Sequence, residues 1–409
     1  MKIGILMNSE STWGGETKKP RATQGALLLV GSCLPILGAV LIAPLLPQMA
    51  LHFASVVHAD VLVPLVLTTP ALMVGLLGPF AGLVVDKFGR KTPLMVALLC
   101  YSALGTAPLW IDNLYGVLAS RLGLGVAEAV IITCCTALIG DYYADESRAR
   151  MLAWQTMTGS LCAAVFFFVG GLVGELGWRV PFWLYLGGIL MVPCASAALW
   201  EPIRVETRHR GGTTHIAAFP WQRHAWLYVL SWCGGVSLFI VAVQLGFLLS
   251  SMGVRAPGMI GAAIGTSHAA VFAGAICSRW LGRLGPLRTL CIAFALAGGS
   301  LLALSVASSY PQVVIAVLLN GLGAGLMIPT LVAWALSGLP PELRGRGSGG
   351  FMASIYFGEF MSPLVVAGVA AVVGGLMGAI KVLGLVLLVL AATCATQWLT
   401  GRRASSAQA

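Results

Sequence analysis

Charge is what this sequence has least of. Only 9% of its 409 residues are Asp, Glu, Lys or Arg, and 58% are apolar, where a soluble domain carries about 25% charged residues. So little polar surface cannot hold a chain of this size in water, which excludes a cytosolic enzyme, a nucleic-acid binder and an extracellular scaffold. Metal and disulfide patterns are missing too. The ten cysteines form no C-x-x-C pair and all fall inside apolar runs, so they read as small buried hydrophobes. No His-rich metal spacing, G-x-S-x-G elbow or glycine phosphate loop occurs, so no metal, no cofactor and no enzyme activity are expected. No cleavable signal peptide is expected either, because the polar residues 1–23 lead straight into a full-length apolar span.

What the chain has instead is long apolar runs. A helix needs about 20 residues to cross a ~30 Å hydrocarbon core. Twelve such runs stand between charged or Gly/Pro breaks, at 24–46, 59–83, 93–110, 114–139, 151–174, 181–200, 224–249, 258–281, 288–308, 311–337, 347–372 and 379–400. The net charge of +10 is not gathered in a patch. Twenty of the twenty-four basic residues fall in the loops of one side, from Lys2 to Arg402 and Arg403. By the positive-inside rule that side is cytoplasmic, so both termini face the cytoplasm of a multi-pass inner (plasma) membrane protein. The organisation predicted is a cytoplasmic segment 1–23, a six-helix bundle 24–200, a connector 201–223, a second six-helix bundle 224–400 and a tail 401–409.

The halves repeat. Gly82-x3-Asp86-x2-Gly89-Arg90-Lys91 follows span two, and the spacing 82, 86, 89, 90 recurs after span eight at Ala275, Arg279, Gly282 and Arg283. Glu146-Ser-Arg148-Ala-Arg150 matches Glu342-Leu-Arg344-Gly-Arg346, 196 residues apart where the first pair is 193 apart. Duplicated halves are common among secondary transporters. Gly89 suits a turn with positive φ. Arg90 and Lys91 complement an anionic leaflet. Asp86 can pair with Arg90 or accept from a helix N-terminus.

These motifs resemble the major facilitator superfamily. The loop Gly82 to Lys91 resembles its signature between spans two and three, and Arg121-x3-Gly125 resembles its second signature in span four. Gly177-Trp178-Arg179-x-Pro181-Phe182 is also common there. The resemblance implies an all-α membrane protein, with twelve transmembrane helices in two pseudo-symmetric six-helix bundles. It also implies that Gly82, Asp86, Gly89, Arg90 and Lys91 form a latch that shuts the cytoplasmic side in one transport state. Arg279 replaces the acid in the second half, so the repeat cannot make the same latch.

An ionisable residue at a helix centre costs ~2.5–3.5 kcal/mol on insertion scales and is a functional candidate by default. The candidates for proton coupling are Arg121 and Glu128 in span four, His268 in span eight and Glu359 in span eleven. Seven residues turn a helix by about 700°, so Arg121 and Glu128 share a face ~10.5 Å apart along the axis. They are expected to alternate between an ion pair and a neutral acid, or else to form a static pair. Arg121-x3-Gly125-x2-Glu128-Ala129 is similar to span four of Spinster-type lipid transporters and organic-anion symporters. Glu359 has no base within reach along its helix, which suits a proton site, a binder of cations or a hydrogen-bonded structural carboxyl.

Two absences shape the functional reading. Span one holds no Asp, Glu, Lys or Arg, whereas many drug–proton antiporters keep an acid there. Span five has the Gly170-Gly171 pair of the antiporter motif, but Phe166-Phe167 stand where Gly-Pro is usual. The loop Asp141 to Arg150 is similar to that of tetracycline-type exporters. Aromatic and methionine surfaces accommodate varied apolar molecules, and Phe166, Phe167, Trp154, Trp232, Phe239, Tyr356 and Phe357 fall in spans that face the central cavity in this superfamily. The expected function is proton-coupled efflux of hydrophobic or amphipathic small molecules by a monomer. The alternatives are proton-coupled uptake of an organic anion or metabolite, and a transport-inactive receptor. The expected partners are a small-molecule substrate, protons and the lipid bilayer, with no nucleic acid.

Overall fold

The computed structural model describes residues 20–202, 219–337 and 339–406. Residues 1–19, 203–218 and 407–409, which hold most of the N-terminal segment and connector and the end of the tail, lie outside the described residues. Twelve helices long and apolar enough to cross a membrane are found among those described, with no strand. They are α1 (Ala22–His52), α2 (Ala59–Phe88), α3 (Lys91–Thr106, with a 3-10 turn extending the span to Leu109), α4 (Leu114–Tyr142), α5 (Asp145–Gly174), α6 (Gly187–Ala198, preceded by a 3-10 segment that begins the span at Val180), α7 (Trp221–Ser251), α8 (Pro257–Leu281), α9 (Pro286–Val306), α10 (Tyr310–Leu336), α11 (Pro341–Val373) and α12 (Leu376–Ser406). The fold is two pseudo-symmetric six-helix bundles, α1–α6 and α7–α12.

The boundaries depart from the sequence reading where proline or a helix cap intervenes. Span one does not stop at residue 46. Its regular helix ends at Val40, and Pro44 and Pro47 sit in the first turns of a 3-10 segment (Ala43–Leu45) and a short helix (Leu46–His52). Proline lacks an N–H and fits the first turn of a helix, so these residues break and restart the span. Spans five and eleven begin earlier than expected, at Asp145 and Pro341. α12 runs on to Ser406, into the expected tail.

The repeat is real and keeps the 196-residue separation read from Glu146 and Glu342, but the match of Gly82 to Ala275 is out of register. Gly282 is helical, with φ −58°. The counterpart of Gly89 (φ +87°) is Gly285 (φ +87°), 196 residues later. An extra 3-10 turn, Gly282–Leu284, prolongs the end of α8 and displaces the matched letters by three. The same separation relates α4 to α10 and α5 to α11 at their first residues. It also relates two arginines: Arg148 Nε donates to Tyr143 O at 3.0 Å, and Arg344 Nε donates to Leu339 O at 3.3 Å.

The end that carries most of the loop arginines and lysines is called here the basic end. At the opposite end the two bundles are sealed together. Gly171 of α5 meets the Pro257 carbonyl of α8, Gly261 of α8 meets the Phe167 carbonyl, and a Cβ at either position would overlap that oxygen. The α1 break joins the seal, with Leu41 O against Gly170 and Leu45 against Gly174. A clasp within the first bundle lies at this end as well. Asp112, between α3 and α4, meets His52 Nε2 at 2.7 Å and accepts from Arg179. The His52 hydrogen bond holds its carboxyl below the usual range. Toward the basic end the α2–α11 seam opens: Gly78 and Gly82 of α2 and Gly345 and Gly349 of α11 have no neighbour within 4 Å of a Cβ position. Gly171→Val is expected to destabilise this sealed state by about 1–3 kcal/mol through overpacking. Thermal melting of the purified variant checks it, and an unchanged melting temperature would mean that the seam is not close-packed.

Candidate functional site

Arg121 is the largest fully buried side chain among the described residues, at 0% exposure. The spacing suggests an ion pair with Glu128, but none forms. The guanidinium turns to the end of α3 instead, where Nη2 donates to Leu104 O and Gly105 O, both at 3.0 Å. These are among the last carbonyls of that helix, which have no partner within it and carry the negative end of its dipole. Nη1 donates to the Tyr185 hydroxyl at 3.0 Å, and the rings of Phe182 and Tyr185 lie 5.3 and 5.1 Å from the guanidinium carbon. Arg121 is thus a buried C-cap for α3, a role the sequence reading missed. Gly105 is required beside it, because a Cβ there would overlap the Tyr185 ring.

Tyr185 passes the connection on. Its hydroxyl donates to Gly38 O at 2.9 Å, and Tyr101 donates to Leu34 O at 2.5 Å. Gly38 lies two residues before the regular helix of α1 ends, so Tyr185 satisfies one of its terminal carbonyls. Glu128 lies against the same glycine, since a Cβ on Gly38 would overlap Glu128 Oε1. That oxygen is buried with no hydrogen-bond partner, and the residue is only 3% exposed. Tyr101 and Tyr185 both stand within electrostatic reach of Glu128 and Arg121. The two residues singled out on α4 are therefore joined through tyrosines and the α1 backbone, not by direct contact.

A cavity of about 470 Å³ lies between the bundles on the basic-end side of the seal. His268 and Tyr356 line it, with Ile132 of α4 one turn from Glu128. His268 packs against Phe167 with ring centroids 4.4 Å apart, and its Nδ1 meets Ile264 O at 3.2 Å. Glu359 is also nearly buried and makes no hydrogen bond among the described residues. Tyr356 is within electrostatic reach of both acids.

Of the seven aromatic residues expected at the cavity, only Tyr356 lines it. Phe167 is buried at the α5–α8 crossing, Phe166 and Phe239 pack on the core, and Trp154 is half exposed. Trp232 and Phe357 line a separate 290 Å³ cavity at the junction of α2, α7 and α11. The central lining has a polar part that sequence reasoning passed over. Gln155 Nε2 donates to Ser32 Oγ at 2.7 Å and to Thr136 Oγ1 at 3.1 Å. Neutral polar residues scattered over three helices give no signal comparable to a charge in an apolar run.

At the basic end the expected latch residues act within the first bundle. Arg90 Nε pairs with Asp141 Oδ2 at 2.8 Å, and Lys91 Nζ donates to Ser196 O at 2.7 Å. Glu201 accepts the backbone N–H groups of Arg90 at 2.7 Å and Lys91 at 2.8 Å. It thereby caps α3 at its positive end. The first residue of the expected connector is thus docked. Gly89 has the positive φ predicted for it, and a Cβ there would meet Glu201 as well. The side chain of Asp86 lies outside the described residues.

This is the architecture of a transporter: two packed helical bundles with a cavity between them, sealed at one end, and buried ionisable groups beside it. The profile described as Major Facilitator Superfamily matches residues 28–363, and the chain belongs to that family. It is a multi-pass membrane protein and a secondary transporter of small molecules. It is similar to Multidrug resistance protein 1 of Bacillus subtilis (strain 168), with 24% identity over 83% of this chain and 87% of that protein. It is also similar to Multidrug resistance protein 2 of the same organism, at 26% identity over 45% of this chain; that match spans 46% of the relative's length. In fold it resembles a bacterial homologue of the human lysosomal transporter Spinster, with a TM-score of 0.72 and 14% identity over 91% of this chain and 95% of that one.

Proposed function

We propose that this protein is a proton-coupled exporter of hydrophobic or amphipathic small molecules, working by alternating access as a monomer in the inner (plasma) membrane. In this reading the basic end is cytoplasmic, both termini lie on that side, and the bundles 24–200 and 224–400 rock about the central cavity while the connector 201–223 joins them. The carrying observation is Glu128: a carboxyl oxygen buried without a partner, one turn from the cavity and against the break in α1. A buried acid of this kind is costly as an ion, so taking up a proton and releasing it changes the energy of its surroundings as access alternates. Arg121 holds the frame around it, and Glu359 and His268 are the other groups at hand for the proton. Gly82, Asp86, Gly89, Arg90 and Lys91 are proposed to latch the basic end in the opposite state.

Uptake of an organic anion is less well supported, because a carboxylate substrate needs a cation and Arg121, the buried basic residue of α4, is not free to serve as one. Its guanidinium is fully buried and committed to α3 and Tyr185. The export reading gains from the two multidrug resistance relatives. The test is direction. In cells, an inward acid gradient is expected to drive substrate out, and a protonophore to raise its accumulation. A protonophore-induced fall in accumulation would support uptake instead.

A further inference from the structure

We infer that the central cavity selects uncharged amphipathic molecules that carry a hydrogen-bond donor, such as a hydroxyl or an amide, and rejects organic cations and anions. The inference deepens the export reading and rests on the cavity being its transport site. No Asp, Glu, Lys or Arg lines this cavity among the described residues. The nearest ionisable groups do not supply a counter-ion. Arg121 is spent on α3, Glu128 is 3% exposed with an oxygen turned onto Gly38, and Glu359 is 9% exposed and outside the lining. A ligand ion would therefore lose its hydration without gaining a partner.

Besides hydroxyls such as those of Thr136 and Tyr356, which can both donate and accept, the lining supplies two groups that only accept. Gln155 spends its amide nitrogen on Ser32 and Thr136, and its Oε1 makes no hydrogen bond among the described residues. On the facing wall, His268 Nδ1 donates to the Ile264 carbonyl. A neutral imidazole so committed leaves Nε2 as an acceptor. Met352 adds an apolar surface on that side, soft enough to take varied shapes. A donor facing two acceptors, with an apolar body against α8 and α11, is the ligand this lining fits. The volume of about 470 Å³ lies within the range of drug-sized sites.

The test uses the full-length protein in lipid nanodiscs and four ligands of one skeleton: 4-phenylbutanol, its methyl ether, 4-phenylbutyrate and 4-phenylbutyltrimethylammonium. Binding is followed by calorimetry. The alcohol is expected to bind at least about tenfold more tightly than either ion and more tightly than the ether. Gln155→Leu should narrow the gap between alcohol and ether, since of the two pure acceptors only His268 Nε2 is left, while leaving the ions weak. Binding of either ion as tightly as the alcohol, equal binding of alcohol and ether to the wild type, or no binding by any of the four, overturns the inference. The export reading fails separately. If the alcohol binds as expected but proteoliposomes move it only inward, or without protons, export falls and the selectivity stands.

Discussion

Arg121→Ala is expected to be among the most damaging single substitutions in the chain, with a loss of about 3–5 kcal/mol and a matching fall in folded protein. The expectation follows from its contacts. The guanidinium closes the end of α3 through Leu104 O and Gly105 O and reaches α1 through Tyr185. Alanine would leave those carbonyls in a dry interior without donors. Arg121→Lys should recover only part of the loss, since a single ammonium cannot reproduce a planar fork that serves two carbonyls and a hydroxyl. Tyr185→Phe removes one donor and one acceptor and should cost about 1–3 kcal/mol. Melting of the purified variants orders the three. A stable Arg121→Ala protein that has lost only transport would return Arg121 to a coupling role and overturn the cap.

Much of this was legible in the sequence, for reasons of chemistry. Apolar runs of membrane length can hardly be anything else, so the twelve helices and their order followed from composition alone. Gly89 was legible because positive φ narrows the choice of residue. Arg121 and Glu128 stood out because charge is rare inside such runs. What they bond to was not legible. Helical spacing puts two side chains on one face, but it carries no information about a third helix ending nearby with free carbonyls. The α1 break was hidden for a related reason: proline can end a helix or begin one, and Pro44 and Pro47 do the latter. Gln155, Ser32 and Thr136 left no trace because their hydrogen bonds join α1, α4 and α5, which only the fold brings together. The loop after α4 was matched to the loop after α10 in the right register, but the loop after α2 was matched three residues out, since matching letters cannot see the extra turn after Leu281.

Glu128→Gln is expected to abolish gradient-driven transport while substrate exchange continues. Glutamine has nearly the volume of the acid and no charge, so it mimics the protonated state permanently. Substrate binding should survive, because Glu128 does not line the cavity. Thermal stability should be unchanged or raised, because the variant removes an ionisable group whose oxygen has no partner. That separates it from Arg121→Ala, in which stability and transport fall together. Gly38→Ala probes the same point from the other side: its Cβ would press on Glu128 Oε1, at a cost of about 1–3 kcal/mol. The deciding measurement is proton flux on substrate addition in proteoliposomes, for the wild type, Glu128→Gln and Glu359→Gln. Flux should fall to background in the Glu128 variant. Flux that persists there but vanishes in the Glu359 variant would move the proton to α11. Flux that persists in both would leave His268 as the remaining group at the cavity, and its ring would take the proton on Nε2 with Nδ1 still donating to Ile264 O.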